Sequence, residues 1–181
     1  MKENYDAPAY LLQEEFLEVM DTDVPATLQE VKEAFLLQCA FGSRIDDFKS
    51  LNMDKVVVSA EGIPYLRYLP QKTLKSNEHK DEVEILVMRY ALDIIKKWQF
   101  NFPILKYVTG KSGYNVKIRK LLEYCQIDRE VNVFDKDSSD NIYKPLYTMG
   151  SSKLCRKTHL DMLTKVQVNM FPGITRKVVA Q

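Results

Sequence analysis

The residues with the clearest capacity for chemistry are cations. Arg44 stands in the corner FGSR, and Lys153, Arg156, Lys157, Lys165, Arg176 and Lys177 crowd residues 151–181, where Asp161 is the one acid. A guanidinium presents fixed, paired N–H donors that match phosphate oxygens, so an arginine held on a tight helix corner is suited to grip that group. Residues 1–35 carry the opposite sign, nine acids against Lys2 and Lys32, so the formal net charge of +1 hides an asymmetry. A basic C-terminal stretch can meet a polyanion while the acidic start faces elsewhere; a solvated helix face would have the same composition.

Other residue types offer less. Cys39, Cys125 and Cys155 are odd in number, far apart and without metal-ligand spacing, and read as reduced thiols in or near the core. His79 reads as a loop residue and His159 as a half-buried helix residue near Leu163; neither has the spacing of a metal ligand. Tyr65, Tyr68, Trp98 and Phe100 read as core rather than as a base-stacking platform.

The elements that must position these residues follow from periodicity and turn chemistry. With 181 residues and 45% hydrophobic content, the chain can bury one substantial core, so a single domain is expected. No apolar run approaches the roughly twenty residues of a membrane span, and the acidic start MKENYDAP lacks the features of a signal peptide, so the reading is cytosolic. Residues 10–20 form an amphipathic helix. A capping pair, Thr27 with Glu30, opens a second helix through Leu28, Val31, Phe35 and Cys39. Gly42 closes it in the left-handed conformation. Ser43 and Asp46 then restart a helix with Arg44 at its first position and Ile45, Phe48 and Leu51 inward. Residues 55–59, 63–69 and 83–87 read as strands of an antiparallel meander, with Lys72 at the start of the second connection.

A helix over 88–98 follows, with Ala91, Leu92, Ile95 and Trp98 on one face, and 100–113 is irregular. A helix over 115–126 turns Val116, Ile118, Leu121, Leu122 and Cys125 inward. Residues 127–150 read as loop with a short strand at 131–134. Ser151 or Ser152 caps a last helix over 153–168 that carries Leu154, Leu160, Leu163 and Val166 inward.

Four stretches, in this order, resemble the catalytic domain of the tyrosine recombinases, or phage-type integrases, most closely those of Bacteroides-type mobile elements. AFGSRIDDFKSL resembles the family's TGLRxSELxxL corner, YLPQKTLKS its QKKTGK hairpin, VEILVMRYALDIIKKW a strand–helix unit, and KLCRKTHLDML its HxxRRTFAT helix. The resemblance covers about residues 10–170. It implies an α+β fold, mainly helical, with helices around a small three-stranded antiparallel sheet. It also implies one catalytic unit over 1–181 without the family's N-terminal core-binding domain, and a truncated tail at 171–181.

By the same resemblance Arg44 and Arg156 are the catalytic arginines, Lys72 the catalytic lysine, and Lys153 stands where the family usually has histidine, with Asp47 at the acidic position after the first arginine. In the family a tyrosine hydroxyl attacks a DNA phosphodiester, forming a phosphotyrosyl link. The arginines would then clamp the non-bridging oxygens while Lys72 protonates the leaving 5′-oxygen. The implied partners are double-stranded DNA and further copies of the chain, as in the family's tetrameric synapse. No cofactor, metal or membrane is implied, and the implied location is the bacterial cytoplasm. No tyrosine follows Tyr147, so the family's nucleophile is missing from this sequence and its status as an enzyme is open. A non-catalytic DNA-binding remnant or regulator, and a helical interaction domain with no nucleic-acid role, stand as alternatives. The recombinase reading requires Arg44 and Arg156 to converge on one pocket.

Overall fold

The apolar run FLLQCAF lies in a helix that is buried nearly all the way round. A computed structural model describes residues 9–71, 82–99, 111–135 and 138–170. Helix α1 (Gln13–Asp21) is followed by this central helix, α2 (Ala26–Phe41), then α3 (Ile45–Ser50) and strands β1 (Val56–Val58), β2 (Pro64–Tyr68) and β3 (Val83–Leu86). Next come α4 (Arg89–Lys97), α5 (Lys111–Tyr124), β4 (Glu130–Asp135), β5 (Asp140–Pro145) and α6 (Ser152–Met170). A helix apolar on every face is stable only with neighbours on every face. Accordingly α1, α4, α5 and α6 all pack on α2. Two charged groups buried on α2 are matched: Lys32 Nζ donates to the Thr22 carbonyl at 2.6 Å, and Glu33 accepts from Gln29, Lys97 and the Trp98 indole.

The three-stranded sheet is the expected antiparallel meander, in the order β1-β2-β3 with Val57 opposite Tyr65 and Tyr68 opposite Val83. Leu66 and Tyr68 point into the core, whereas Arg67 stays outside and pairs with Glu84 across the strands at 2.6 Å. Helices around this small sheet make the mainly helical α+β architecture that was expected. Two long-range ties close the ends: the Leu11 N–H donates to Thr158 Oγ1 of α6 at 3.0 Å, and Arg129 Nε donates to Glu15 of α1 at 2.7 Å.

Several local expectations are corrected. Ser43 does not cap α3. Arg44 itself is the extended N-cap, at φ −65° and ψ 155°, because Gln38 Nε2 holds the Ser43 carbonyl at 3.2 Å and keeps that residue in the turn. Thr27 and Glu30 do not cap α2; Pro25 occupies the N-cap with its fixed φ, which leaves Thr27 inside the first turn. Helix α5 starts at Lys111, earlier than expected, and its inward stripe begins at Tyr114, fully buried, and continues through Ile118, Leu121, Leu122 and Cys125. Val116 lies about 200° round the helix from Tyr114 and is exposed. The strand expected at 131–134 is present as β4, and β5 pairs with it as an antiparallel hairpin where loop was expected; Ser139, just before β5, has φ +55°. On α6, Leu154, Cys155 and Thr158 face inward, whereas Leu160 and Leu163 are exposed. The irregular reading for 100–110, His79, Lys72 and the tail from 171 onward lie outside the described residues. All three cysteines are buried free thiols, as expected.

The α2–α3 corner meets two separate demands. Gly42 adopts φ +56° and its N–H donates to the Gln38 carbonyl at 2.9 Å, closing α2. A Cβ there would lie 2.6 Å from His159 Cγ and 2.9 Å from Nε2, so α6 leaves no room for a side chain. Gly42→Ala should therefore combine left-handed strain with overpacking and cost about 3 kcal/mol, read as a lower urea midpoint at unchanged m-value.

Glu33 yields a pH prediction. Burial alone would raise its carboxyl, but donors from Lys97, Gln29 and Trp98 outweigh that and hold it below its ordinary value of 4.5. The folded state then binds fewer protons than the unfolded one on the acid side. The stabilisation is present above the unfolded value and is lost as pH falls through the native one. Glu33→Gln should cost about 2 kcal/mol at pH 7, and its difference from the wild type should shrink as pH falls below 4.5. Urea melts across that range measure both effects.

Candidate functional site

Arg44 and Arg156 line one cavity of about 690 Å³, together with Asn115, Ser152, Lys153 and Lys157. Each reaches it by a different route. Arg44 follows directly from the Gly42 corner as the extended cap of α3, and is exposed. Arg156 stands one turn into α6. Leu154, Cys155 and Thr158 take the inward face there, so Lys153, Arg156 and Lys157 fall on the cavity side. The start of α6 is fastened to α5 by Asn115, whose Oδ1 accepts the Ser152 N–H at 3.0 Å.

The electrostatics are those of a concave cationic site. Burial and the like charge of Arg44 both push the Arg156 guanidinium down from its ordinary value, against the opposing influence of Tyr68 and Asp47. It remains protonated regardless, because guanidinium does not titrate near neutrality. Among the described residues neither arginine forms an ion pair. A smaller cavity of about 280 Å³ is also lined by both arginines, with Asp47, Tyr68 and His159 beside them. Burial and Asp47 push the Tyr68 hydroxyl up to about 12, although Arg156 and Arg44 pull the other way, so it stays a neutral phenol.

Two supporting residues connect the parts. Asp47 is buried, and its Oδ1 accepts the Gln71 N–H at 2.7 Å, tying α3 to the chain directly before Lys72. Lys72 itself lies outside the described residues. His159 Nδ1 is 2.9 Å from the Cys39 carbonyl. A carbonyl can only accept, so Nδ1 carries the proton and Nε2 of the neutral ring bears the lone pair. Burial, with Arg156 adding to it, lowers the imidazole below its ordinary value, while the Cys39 and Ala40 carbonyls pull it up; the ring is neutral at pH 7.

Of the residues singled out in the sequence, Arg44, Lys153 and Arg156 thus share one cavity, while Lys72 lies outside the described residues. Sequence reasoning missed Asn115, Tyr68 and the contact of His159 with the α2 terminus. Tyr68 had been read as core, which it also is. For Asn115 and His159 no local signal exists, because each acts on an element far away in the chain. Among the described residues no group of three His, Cys, Asp or Glu side chains converges to hold a metal, and no helix is long and apolar enough to cross a membrane.

No family model and no curated protein matches the sequence. Among solved structures the chain is similar to a XerH site-specific recombinase bound to difH substrate in a pre-cleavage complex. The TM-score is 0.58 at 8% identity, over 99% of this chain and 51% of that one. It is also similar to XerH bound to palindromic difH substrate in a post-cleavage complex, with a TM-score of 0.54 at 9% identity, over 91% of this chain and 44% of that one. The chain thus spans about half the length of the structures it matches. At such identities the likeness concerns fold alone: the chain shares its fold, mainly helical with a small antiparallel sheet, with the matched part of those recombinase structures.

Proposed function

We propose that this chain is the DNA-binding catalytic domain of a tyrosine-type site-specific recombinase and holds one phosphodiester of duplex DNA between Arg44 and Arg156. The observation that carries this reading is the shared cavity: two guanidiniums far apart in sequence line one concave surface, and among the described residues neither has an ion-pair partner. Two rigid, permanently charged donor sets suit a phosphate whose non-bridging oxygens gain charge in the transition state. Lys153 and Lys157 on the same surface add charge for the flanking backbone.

In this reading Lys72 is the general acid for the leaving 5′-oxygen, supported by the Asp47–Gln71 bond that anchors the preceding residue. Lys153 takes the place of the family's histidine as a phosphate donor, since a protonated amine is a poor base. The attacking hydroxyl is not assigned to any residue here, because no tyrosine follows Tyr147. Phosphotyrosyl exchange, assembly into a homo-oligomeric synapse, a mobile-element origin and a bacterial cytoplasmic setting belong to this proposal. The same cavity supports a second reading, a DNA-binding relative that keeps the clamp and performs no strand transfer.

The test is binding of short duplexes across a salt series. Arg44→Ala and Arg156→Ala should each weaken binding roughly tenfold and each reduce the slope of log affinity against log salt by about one. No duplex binding by the wild type at about 50 mM salt, or full affinity in the double variant, would overturn the clamp. A covalent adduct on a nicked duplex, formed once a tyrosine-bearing C-terminal segment is joined to the chain, separates the two readings; binding without adduct selects the second.

A further inference from the structure

We propose that His159 is a positioning residue that sets the separation of Arg44 and Arg156 by spacing α6 from the end of α2. The proposal rests on the phosphate-clamp reading and extends it to a residue outside the clamp itself. His159 lies three positions after Arg156, on the same side of α6 within one turn. Its Nδ1–H donates to the carbonyl of Cys39, which belongs to the last turn of α2 and has no amide ahead of it in the helix. Its ring lies against Gly42, two residues before Arg44. One side chain therefore shares a helix turn with one arginine and touches the backbone leading into the other.

The spacing has to come from the backbone. The two guanidiniums repel each other, and among the described residues neither has an ion-pair partner to hold it. Gly42 contributes no side chain, so the imidazole itself fills the gap between the α2 terminus and α6, and its hydrogen bond fixes the register. Removing the donor would leave a buried carbonyl unpaired and free α6 to shift against the corner.

The two ring nitrogens allow a test that distinguishes positioning from direct action. In the full chain, His159→Asn places an N–H donor where Nδ1 stands, His159→Gln places one where Nε2 stands, and His159→Phe keeps a ring with neither. Duplex affinity at about 100 mM salt should fall on the order of tenfold in the Phe and Gln variants and stay near wild type in Asn, since small displacements of charged groups are costly. In an Arg44→Ala or Arg156→Ala background the Phe substitution should add little, because positioning acts through the pair. Rescue by Gln but not Asn, or full additivity with the arginine substitutions, would overturn positioning in favour of a direct contact from Nε2.

A readout without DNA separates this proposal from the clamp. The Nε–Hε resonances of Arg44 and Arg156 in the free protein should move in the Phe variant and return in Asn, with those of Arg119, on the exposed face of α5, unchanged. Unmoved resonances would refute the spacing role even if duplex binding is intact. A wild type that ignores DNA while its arginine resonances follow His159 would instead refute the clamp alone.

Discussion

The contact on which the molecule turns is the close approach of α6 to the C-terminal end of α2 across Gly42. A left-handed backbone at that point ends a buried helix and redirects the chain into α3, while the imidazole of His159 takes the volume a side chain would have used. Local conformation and tertiary packing therefore impose the same residue for different reasons. The corner is rigid because relaxing one requirement does not relax the other.

Around it the core is arranged to keep α2 in place. Helices surround α2, and two of its buried charged groups are held by partners outside it, Thr22 for Lys32 and Lys97 with Trp98 for Glu33. A buried polar group matched in this way penalises any slippage that would unpair it. The cavity beside the corner inherits that rigidity. Arg44 and Arg156 can stand near each other despite their repulsion because the elements that carry them are fixed independently of either charge.

Asp47 shows how the site stays electropositive. Its carboxylate influences Arg156 and Tyr68, yet its Oδ1 is used to hold the Gln71 backbone rather than to form an ion pair with either arginine. The acidic group stabilises the scaffold, and among the described residues neither guanidinium has an ion-pair partner. An anion entering the cavity would relieve a repulsion already present between the two guanidiniums.

The sequence by itself determined what depends on neighbours a few residues away: the helix end at Gly42, the meander with its β-branched strands, the buried thiols, and the cationic face of α6 at Lys153, Arg156 and Lys157. Local readings failed where several local options competed: Ser43 yielded the cap to Arg44 under the grip of Gln38, Val116 gave up the core to Tyr114, and the strand at 131–134 found a partner in 140–145. Only the tertiary structure decided that Arg44 and Arg156 face one cavity, that Asn115 fastens the start of α6, and that His159 reaches the carbonyl of Cys39. Periodicity reports which face of an element avoids water, whereas the pairing of two elements across the chain depends on how their surfaces fit, and no spacing within either element records that.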